Sequence, residues 1–142
     1  MSRARLPTMG AMAMDREHRR FTLDEYLHLE RASDGPRCEW VDGAIFAMTG
    51  GSMRHSKITV NLTVAVGSRT VGKPCQPYNG DLRILIEKHS LATYPDLSIV
   101  CGTPHCRVPG PADTLLNPTA LFEVLSPSTA AFDSSPIASR SR

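Results

Sequence analysis

The 142-residue sequence lacks the features that several protein classes require. No apolar run approaches the roughly 20 residues of a transmembrane helix, and no signal-peptide-like stretch opens the chain. Lys and Arg total 16 against 14 Asp and Glu, and this near-balance excludes a histone-like polycation. Nucleotide-binding glycine loops, nucleophile elbows and zincin motifs are absent from the sequence. We therefore expect one globular cytoplasmic domain with no membrane partner.

Cysteine is scarce, and a reducing cytoplasm predicts that the four cysteines are thiols rather than a disulfide framework. Cys101 and Cys106 flank His105, but this spacing with a single adjacent histidine matches a structural zinc site poorly. We expect Cys38, Cys75, Cys101 and Cys106 to be ordinary small side chains in strands and loops.

Residues 1–20 show no helical or strand periodicity, and we predict a disordered extension there, outside the fold. The domain is expected to cover residues 21–133. Residues 134–142 are rich in Ser and Arg, which predicts a disordered tail.

Three helices are predicted from their start signals. Thr22 and Glu25 form a capping box, which predicts a helix that ends near Ala32. Ser52 is placed to cap a second helix over residues 53–71, and Ser126-Pro127 is placed to begin a third. The inner stripe of the second helix is expected to comprise Ile58, Leu62 and Ala65, extended toward the N-terminus by His55.

Asp42-Gly43 between two short apolar runs predicts a β-hairpin with a type I′ turn. The implied register places Glu39 opposite Phe46, on an apolar face where a carboxylate needs a partner. Further strands are predicted over residues 81–86, 95–101 and 119–125, with loops at 87–94 and 102–118. The order of elements predicts an α/β or α+β fold around one mixed sheet.

Three acids stand out because each is predicted to lie in an apolar strand, namely Asp81, Asp96 and Glu123. A carboxylate in such a position costs several kcal/mol unless a partner stabilises it. A hard divalent cation held by convergent carboxylates is one such partner, and Mg²⁺ suits two carboxylates with retained waters.

Structural alternatives remain open for each acid. Asp81 could pair with Arg83 or another base, and Asp96 could cap a turn. Glu123 could form a salt bridge with Arg54 or Lys57, and an isolated histidine such as His55 is more often structural than catalytic.

The sequence resembles the Uma-type restriction endonuclease family, within the PD-(D/E)XK restriction-endonuclease-like superfamily. The resemblance covers about residues 21–133. The matching segments are residues 21–30, Glu39-Trp-Val-Asp-Gly43, Met48-Thr-Gly-Gly-Ser52 with Arg54-His55, Gly80-Asp-Leu-Arg83, Tyr94-Pro-Asp96, Leu115-Leu-Asn-Pro118 and residues 123–129.

This resemblance implies a restriction-endonuclease-like core, in which helices flank a mixed sheet and the site lies at one sheet edge. By matching position, Asp96 is the Asp of the PD motif and Glu123 the acid of the second half-motif. These two would hold Mg²⁺, or Mn²⁺ in its place, with Glu39, His55 and Asp81 as further site residues. The implied reaction is phosphodiester hydrolysis, with DNA as the expected partner and RNA left open.

The sequence departs from the family pattern at its lysine. Leu125 occupies the superfamily's lysine position, and the lysine that the family is expected to supply after Asp133 is missing from residues 134–142. The last strands expected of the family are also missing, as in a truncated or frameshifted gene, so we expect an exposed sheet edge and aggregation or a homodimer.

Three functions follow as hypotheses. The first is a Mg²⁺-dependent endonuclease impaired by its missing segment. The second is a catalytically inactive remnant that still binds nucleic acid or has lost that ability, and the third is a non-enzymatic binding module whose strand acids are structural.

Overall fold

A computed structural model describes residues 19–125 of the chain. Within this range two α-helices, one short 3-10 helix and eight strands follow one another. The predicted third helix, Asp133 and the predicted tail lie outside the described residues, as does most of the predicted N-terminal extension. In the described range no helix combines the length and the apolar character that a membrane span requires.

Helix α1 covers Leu23–Ala32 and begins with the capping box that the sequence predicts. The Thr22 hydroxyl accepts from the Glu25 amide, and the Thr22 amide donates to the Glu25 carboxylate at 2.8 Å. These two bonds satisfy main-chain donors that a helix start leaves free. Tyr26 and Leu27 form its buried face, and the Tyr26 hydroxyl donates to the carbonyl of Cys38.

The predicted hairpin is confirmed as β1 (Cys38–Val41) and β2 (Ala44–Ala47), with Glu39 opposite Phe46. Asp42 and Gly43 have φ values of +47° and +89°, as a type I′ turn requires. Arg20 lies against this turn, where its guanidinium donates to the Asp42 carbonyl. Arg20, which the sequence places in the N-terminal extension, therefore contacts the hairpin, as Phe21 does through its amide.

Helix α2 covers Met53–Thr70, and the Ser52 hydroxyl accepts from the His55 amide as predicted. His55 and Leu62 face inward, but Ile58 and Ala65 are exposed, so the predicted inner stripe is partly wrong. Threonines occupy the inner face because the Thr59 and Thr63 hydroxyls donate to carbonyls one turn earlier in the helix. The outer side of α2 exposes apolar side chains at Met53, Val60 and Val64, and Val71 just after the helix is also exposed.

The remaining strands are β3 (Cys75–Asn79), β4 (Arg83–Ile86), β5 (Leu91–Thr93), β6 (Leu97–Cys101), β7 (Thr114–Leu115) and β8 (Ala120–Phe122). They divide the fold into two sheets rather than the single mixed sheet expected. The five-stranded sheet has the order β2-β1-β5-β4-β7, and the three-stranded sheet has the order β3-β6-β8. Only the β4–β7 pair is parallel among the strand pairs of residues 19–125.

The five-stranded sheet lies between α1 and the three-stranded sheet. On one face, Tyr26 and Leu27 of α1 pack with Trp40, Leu85 and Ala92. On the other, Ile84 and Leu115 pack with Val100 and with Leu121 of the second sheet. Because neighbouring residues of a strand point to opposite faces, β4 contributes to both clusters. Helix α2 packs on β3, the edge strand of the second sheet.

Three strands lie where the sequence predicted helix end or loop. β3 follows α2, β5 lies within residues 87–94 after a 3-10 turn at Glu87–His89, and β7 lies within residues 102–118. The last strand ends at Phe122, three residues earlier than predicted. β5 and β7 have three and two residues, too few for alternation to be recognised, and Pro77 interrupts the strand pattern of β3.

The prediction of four free thiols is wrong for one pair. Strand β3 pairs antiparallel with β6, and this register puts Cys75 directly opposite Cys101. The two form a disulfide, while Cys38 and Cys106 remain thiols. The pair could not be foreseen because β3 itself was not predicted. Its formation also removes Cys101 from the zinc pattern considered around His105.

Candidate active site

The chain crosses from the first sheet to the second through Thr93-Tyr-Pro-Asp96. Thr93 ends β5, and Asp96 immediately precedes β6. Pro95 is almost completely buried at this crossing. The candidate site therefore lies where the two sheets meet, near the N-terminal end of α2.

Asp96 is held by contacts from two other elements. The Nε2 atom of His55, in the first turn of α2, donates to Asp96 Oδ1 at 2.9 Å. The amide of Val124, just after β8, donates to Asp96 Oδ2 at 2.7 Å. An ionised carboxylate has about four lone-pair sites, so these two bonds orient Asp96 without using its full capacity.

Contacts of both the main chain and the side chain hold His55 at the start of α2. Its amide donates to the Ser52 cap, and its side chain is only 22% exposed. A Cβ atom at Gly51 would lie 2.8 Å from the His55 ring, so glycine provides the space that the ring occupies. The ring's Nδ1 atom is buried without a hydrogen-bond partner in residues 19–125, and Nε2 carries the contact with Asp96.

Glu39 lies on the first sheet and is bonded to the other end of the crossing. The Thr93 hydroxyl donates to Glu39 Oε1 in a short hydrogen bond. The β1–β5 register pairs Trp40 with Ala92, so Glu39 is next to Thr93 on the adjacent strand. Ile84 pairs with Thr93, and both belong to the face that meets the second sheet. Glu39 thus has the partner that its apolar surroundings required.

Glu123 is brought to the same region by the chain that follows β8. The neighbouring amide of Val124 contacts Asp96, so the Glu123 main chain adjoins that carboxylate. Glu123 is exposed rather than buried in a strand, because β8 ends at Phe122. The predicted burial of its carboxylate is therefore wrong, and solvent lowers the cost of its charge.

Asp81 lies in the exposed turn before β4, next to Gly80, where a Cβ atom would be 3.8 Å from the Asp96 Cα atom. Its carboxylate is bonded by the Arg37 guanidinium and by the Asn79 side-chain amide. The hydrogen bond from Arg37 lowers the pKa of Asp81, and the bond from Asn79 adds to this effect. The contacts correspond to the alternative of pairing with another base. In the described residues they include none to Asp96 or Glu39.

The buried side chain of Arg83 forms hydrogen bonds that hold the crossing segment in place. Arg83 Nε donates to the Tyr94 hydroxyl at 2.9 Å, and its Nη1 donates to Thr114 Oγ1 at 3.0 Å. Its guanidinium also lies over the rings of Tyr26 and Tyr94. Burial raises the pKa of Tyr94, so this hydroxyl stays protonated. Arg83 therefore fixes the residue that precedes Pro95-Asp96.

The donor set can be compared with what a metal ion needs. In residues 19–125, no group of three or more His, Cys, Asp or Glu side chains is arranged to hold a metal. Mg²⁺ has a smaller requirement, since one or two carboxylates with several waters suffice. Asp96 and the adjoining Glu123 supply two carboxylates, the type of ligand that Mg²⁺ requires.

Two contacts at the site were not foreseen. Thr93 was missed because β5 was read as loop, and the Val124 amide because main-chain donors leave no sequence signal. A usable signal existed for Thr93, since a β-branched residue followed by an apolar-Pro-Asp segment is consistent with a strand end.

Comparison with known proteins identifies a family and relatives of the chain. The family model "Uma2: Putative restriction endonuclease" matches residues 23–135. Two uncharacterized proteins of Synechocystis sp. (strain ATCC 27184 / PCC 6803 / Kazusa) are similar. One, slr1290, is 37% identical over 78% of this chain and 56% of its own length. The other, sll1609, is 28% identical over 79% of this chain and 62% of its own length.

A solved structure shares the fold. It is described as a "putative nuclease belonging to DUF820" from Anabaena variabilis ATCC 29413, with a TM-score of 0.59 and 23% identity. The match covers 84% of this chain and 64% of that one. This chain thus spans less than two thirds of the length of each of these relatives. The family match over most of the sequence shows that the chain belongs to the Uma2 family, and the solved structure shows that it shares the fold.

Proposed function

We propose that the chain is a Mg²⁺-dependent endonuclease domain that hydrolyses phosphodiester bonds of DNA at Asp96. The supporting observation is that His55, from α2, and the Val124 amide, from the end of β8, both bond the Asp96 carboxylate. Membership of a restriction endonuclease family supports a nucleic acid as the substrate.

Asp96 and Glu123 are the proposed ligands of Mg²⁺, with Mn²⁺ as a substitute. When bound, the cation would lower the pKa of a coordinated water and offset charge on the phosphate. The chain's own residues supply orientation. His55 and the Val124 amide hold Asp96 in one rotamer, and Thr93 holds Glu39 on the neighbouring sheet. Such preorganisation avoids moving the carboxylates during the reaction.

We propose that the activity of this chain is weak. Leu125 stands at the superfamily's lysine position, so a cationic donor to the phosphate is missing there. Removing one preorganised donor of this kind costs on the order of 10²–10³ in rate. Lys57, near the N-terminal end of α2, is the candidate to replace part of that function.

A second candidate function is nucleic-acid binding without catalysis. Leu125 favours it, as does the absence of a three-ligand metal group among residues 19–125. Under this alternative Asp96 is a structural acid that joins α2 to the end of β8. The two candidates differ in whether DNA is cut in a manner that requires Asp96.

Plasmid nicking with Mg²⁺ and Mn²⁺ tests the proposal. We expect slow metal-dependent nicking that Asp96→Asn abolishes and that Asp34→Asn, a change of an exposed loop acid, leaves intact. Nicking that persists in Asp96→Asn would refute Asp96 as the site. DNA binding with no nicking in either metal would favour the second candidate.

Calorimetry with Mn²⁺ tests the metal ligands separately from cleavage. We expect weak binding by the wild-type chain and loss of binding in Asp96→Asn and Glu123→Gln. Equal binding by all three proteins would remove these residues as ligands.

A further inference from the structure

We propose that the exposed cations of α2 form the surface that binds the phosphate backbone of DNA beside the Asp96 site. This inference rests on the proposed function, since it takes DNA as the ligand. It adds the residues that hold the strand, namely Arg54 and Lys57, with Arg69 and Lys73 farther along. We call these four residues the α2 cations.

The α2 cations lie in a long segment without acids. Residues 43–80 contain no Asp or Glu, although the whole chain carries 14. All four α2 cations are exposed. Nearly balanced overall charge therefore conceals a local excess of positive charge on this helix and its C-terminal end.

The absence of an ion pair distinguishes these residues from the arginines elsewhere in the described range. Outside residues 43–80, each arginine of the described range is paired with an acid: Arg19, Arg20, Arg31, Arg37, Arg83 and Arg107. Within residues 19–125, no salt bridge is formed by Arg54, Lys57 or Lys73. Their charge is thus available to an external anion.

The position of Arg54 is unfavourable for the helix itself. Arg54 lies in the first turn of α2, which contains no acid. The positive end of the helix dipole repels cations there. Helix α1 shows the usual arrangement, with Asp24 and Glu25 in its first turn. Helix stability therefore does not account for Arg54, whereas an anionic ligand does.

Two of the α2 cations are near His55 in the sequence. Arg54 and Lys57 are one and two residues from His55, which contacts Asp96 at 2.9 Å. Asn61 is exposed seven residues after Arg54 and four after Lys57, and Ser68 is exposed seven residues after Asn61, spacings that place these side chains on one side of α2. A DNA strand lying along this side would reach the first turn of α2, which carries His55. Phosphate contacts of this kind give affinity without reading sequence.

The test is DNA binding by fluorescence anisotropy with a labelled duplex and EDTA, so that no cleavage contributes. Arg54→Glu and Lys57→Glu are compared with Lys88→Glu, an identical charge change in the 3-10 turn between β4 and β5. We expect each α2 variant to weaken binding about tenfold at roughly 50 mM NaCl, and the Lys88 variant to bind within about twofold of wild type. The slope of log K against log salt should fall by about 1 for each α2 residue.

Folding is monitored in the same variants. An acid at the start of α2 suits the helix dipole, so the melting temperature of Arg54→Glu should equal or exceed that of wild type. Weaker binding by an equally stable protein would therefore support a direct contact. Equal loss in Lys88→Glu, or wild-type binding by both α2 variants, would overturn the inference.

The outcome is separable from that of the proposed function. Salt-dependent binding that requires Arg54 and Lys57, without nicking in Mg²⁺, would uphold the DNA surface and refute the endonuclease. Nicking that requires Asp96 but not the α2 cations would uphold the endonuclease and refute the DNA surface. No detectable binding of the duplex at low salt would refute the DNA surface.

Discussion

At the scale of single residues, Gly51 controls the geometry of the His55–Asp96 pair. Any larger residue places a Cβ atom 2.8 Å from the His55 ring. We expect Gly51→Ala to displace the ring and weaken its hydrogen bond to Asp96. Small misplacements of catalytic groups can cost up to about 10²-fold in rate, so we expect a roughly 10- to 100-fold loss of nicking.

Gly50 provides the matched control, because a Cβ atom there meets nothing within 4 Å. The ring nitrogen resonances of His55 in NMR spectra should shift in Gly51→Ala and not in Gly50→Ala. Identical histidine spectra in the two variants would show that a Cβ atom at Gly51 does not displace the His55 ring, which would contradict the prediction.

Asp113 gives a prediction about pH and stability. Its carboxylate accepts two hydrogen bonds from Arg31, at 3.0 and 2.9 Å, and lies 3.5 Å from Arg83 Nη1. The Arg31 bonds, followed by that from Thr114, hold the pKa of Asp113 at about 2. A lowered pKa means that the folded state favours the ionised form, so this stabilisation is present above the unfolded pKa of about 3.9 and is lost as pH falls toward 2.

We therefore expect Asp113→Asn to lower the free energy of unfolding by about 1–2 kcal/mol at pH 7, since the carboxylate is one-third exposed. The difference from wild type should shrink between pH 4 and 2. Urea denaturation across that range measures it, with Asp34→Asn as the exposed control. A constant difference down to the lowest pH would mean that the Arg31 pair contributes little.

At the scale of elements, replacing glycine by alanine should have opposite effects on stability in the hairpin turn and in helix α2. Gly43 has a φ of +89° in the hairpin turn, where a Cβ would also lie 3.1 Å from Arg20. We expect Gly43→Ala to destabilise the fold by about 1–2 kcal/mol. Gly67, inside α2, has open space at its Cβ position, so Gly67→Ala should stabilise the fold by up to about 1 kcal/mol. Thermal unfolding measures the change in stability of both variants. A change of the same sign in Gly43→Ala and Gly67→Ala would contradict the prediction.

The elements also show which patterns in the sequence were sufficient. The capping box at Thr22 and Glu25 and the Asp42-Gly43 turn act through neighbouring atoms, so the end of α1 and the register of the hairpin were predicted correctly. The face of α2 was not, because Thr59 and Thr63 satisfy their hydroxyls within the helix and pack inward. Polar residues at inner positions cannot be told from exposed ones by hydrophobic periodicity alone.

At the scale of the whole molecule, the site depends on packing that no local pattern encodes. The sequence marked Asp96, Glu39 and His55 because their residue types were costly or unusual in their surroundings. It did not reveal that Asp81 pairs with Arg37, since the two are brought together only by the packing of distant segments. It also could not place Glu39 on one sheet and Asp96 at the edge of the other, because β5 has only three residues and Pro77 interrupts β3.

The crossing from one sheet to the other has a consequence for how the protein acquires its site during folding. The bonds that define the site join residues 54, 41 and 28 positions apart, whereas the hairpin closes over two turn residues. Closing long loops costs entropy before any contact repays it, so we expect the site to form after the folding transition state. Stopped-flow φ-values should be near 0 for Thr93→Val and clearly higher for Gly43→Ala. A φ-value for Thr93→Val equal to that of the turn variant would place site assembly in the folding nucleus.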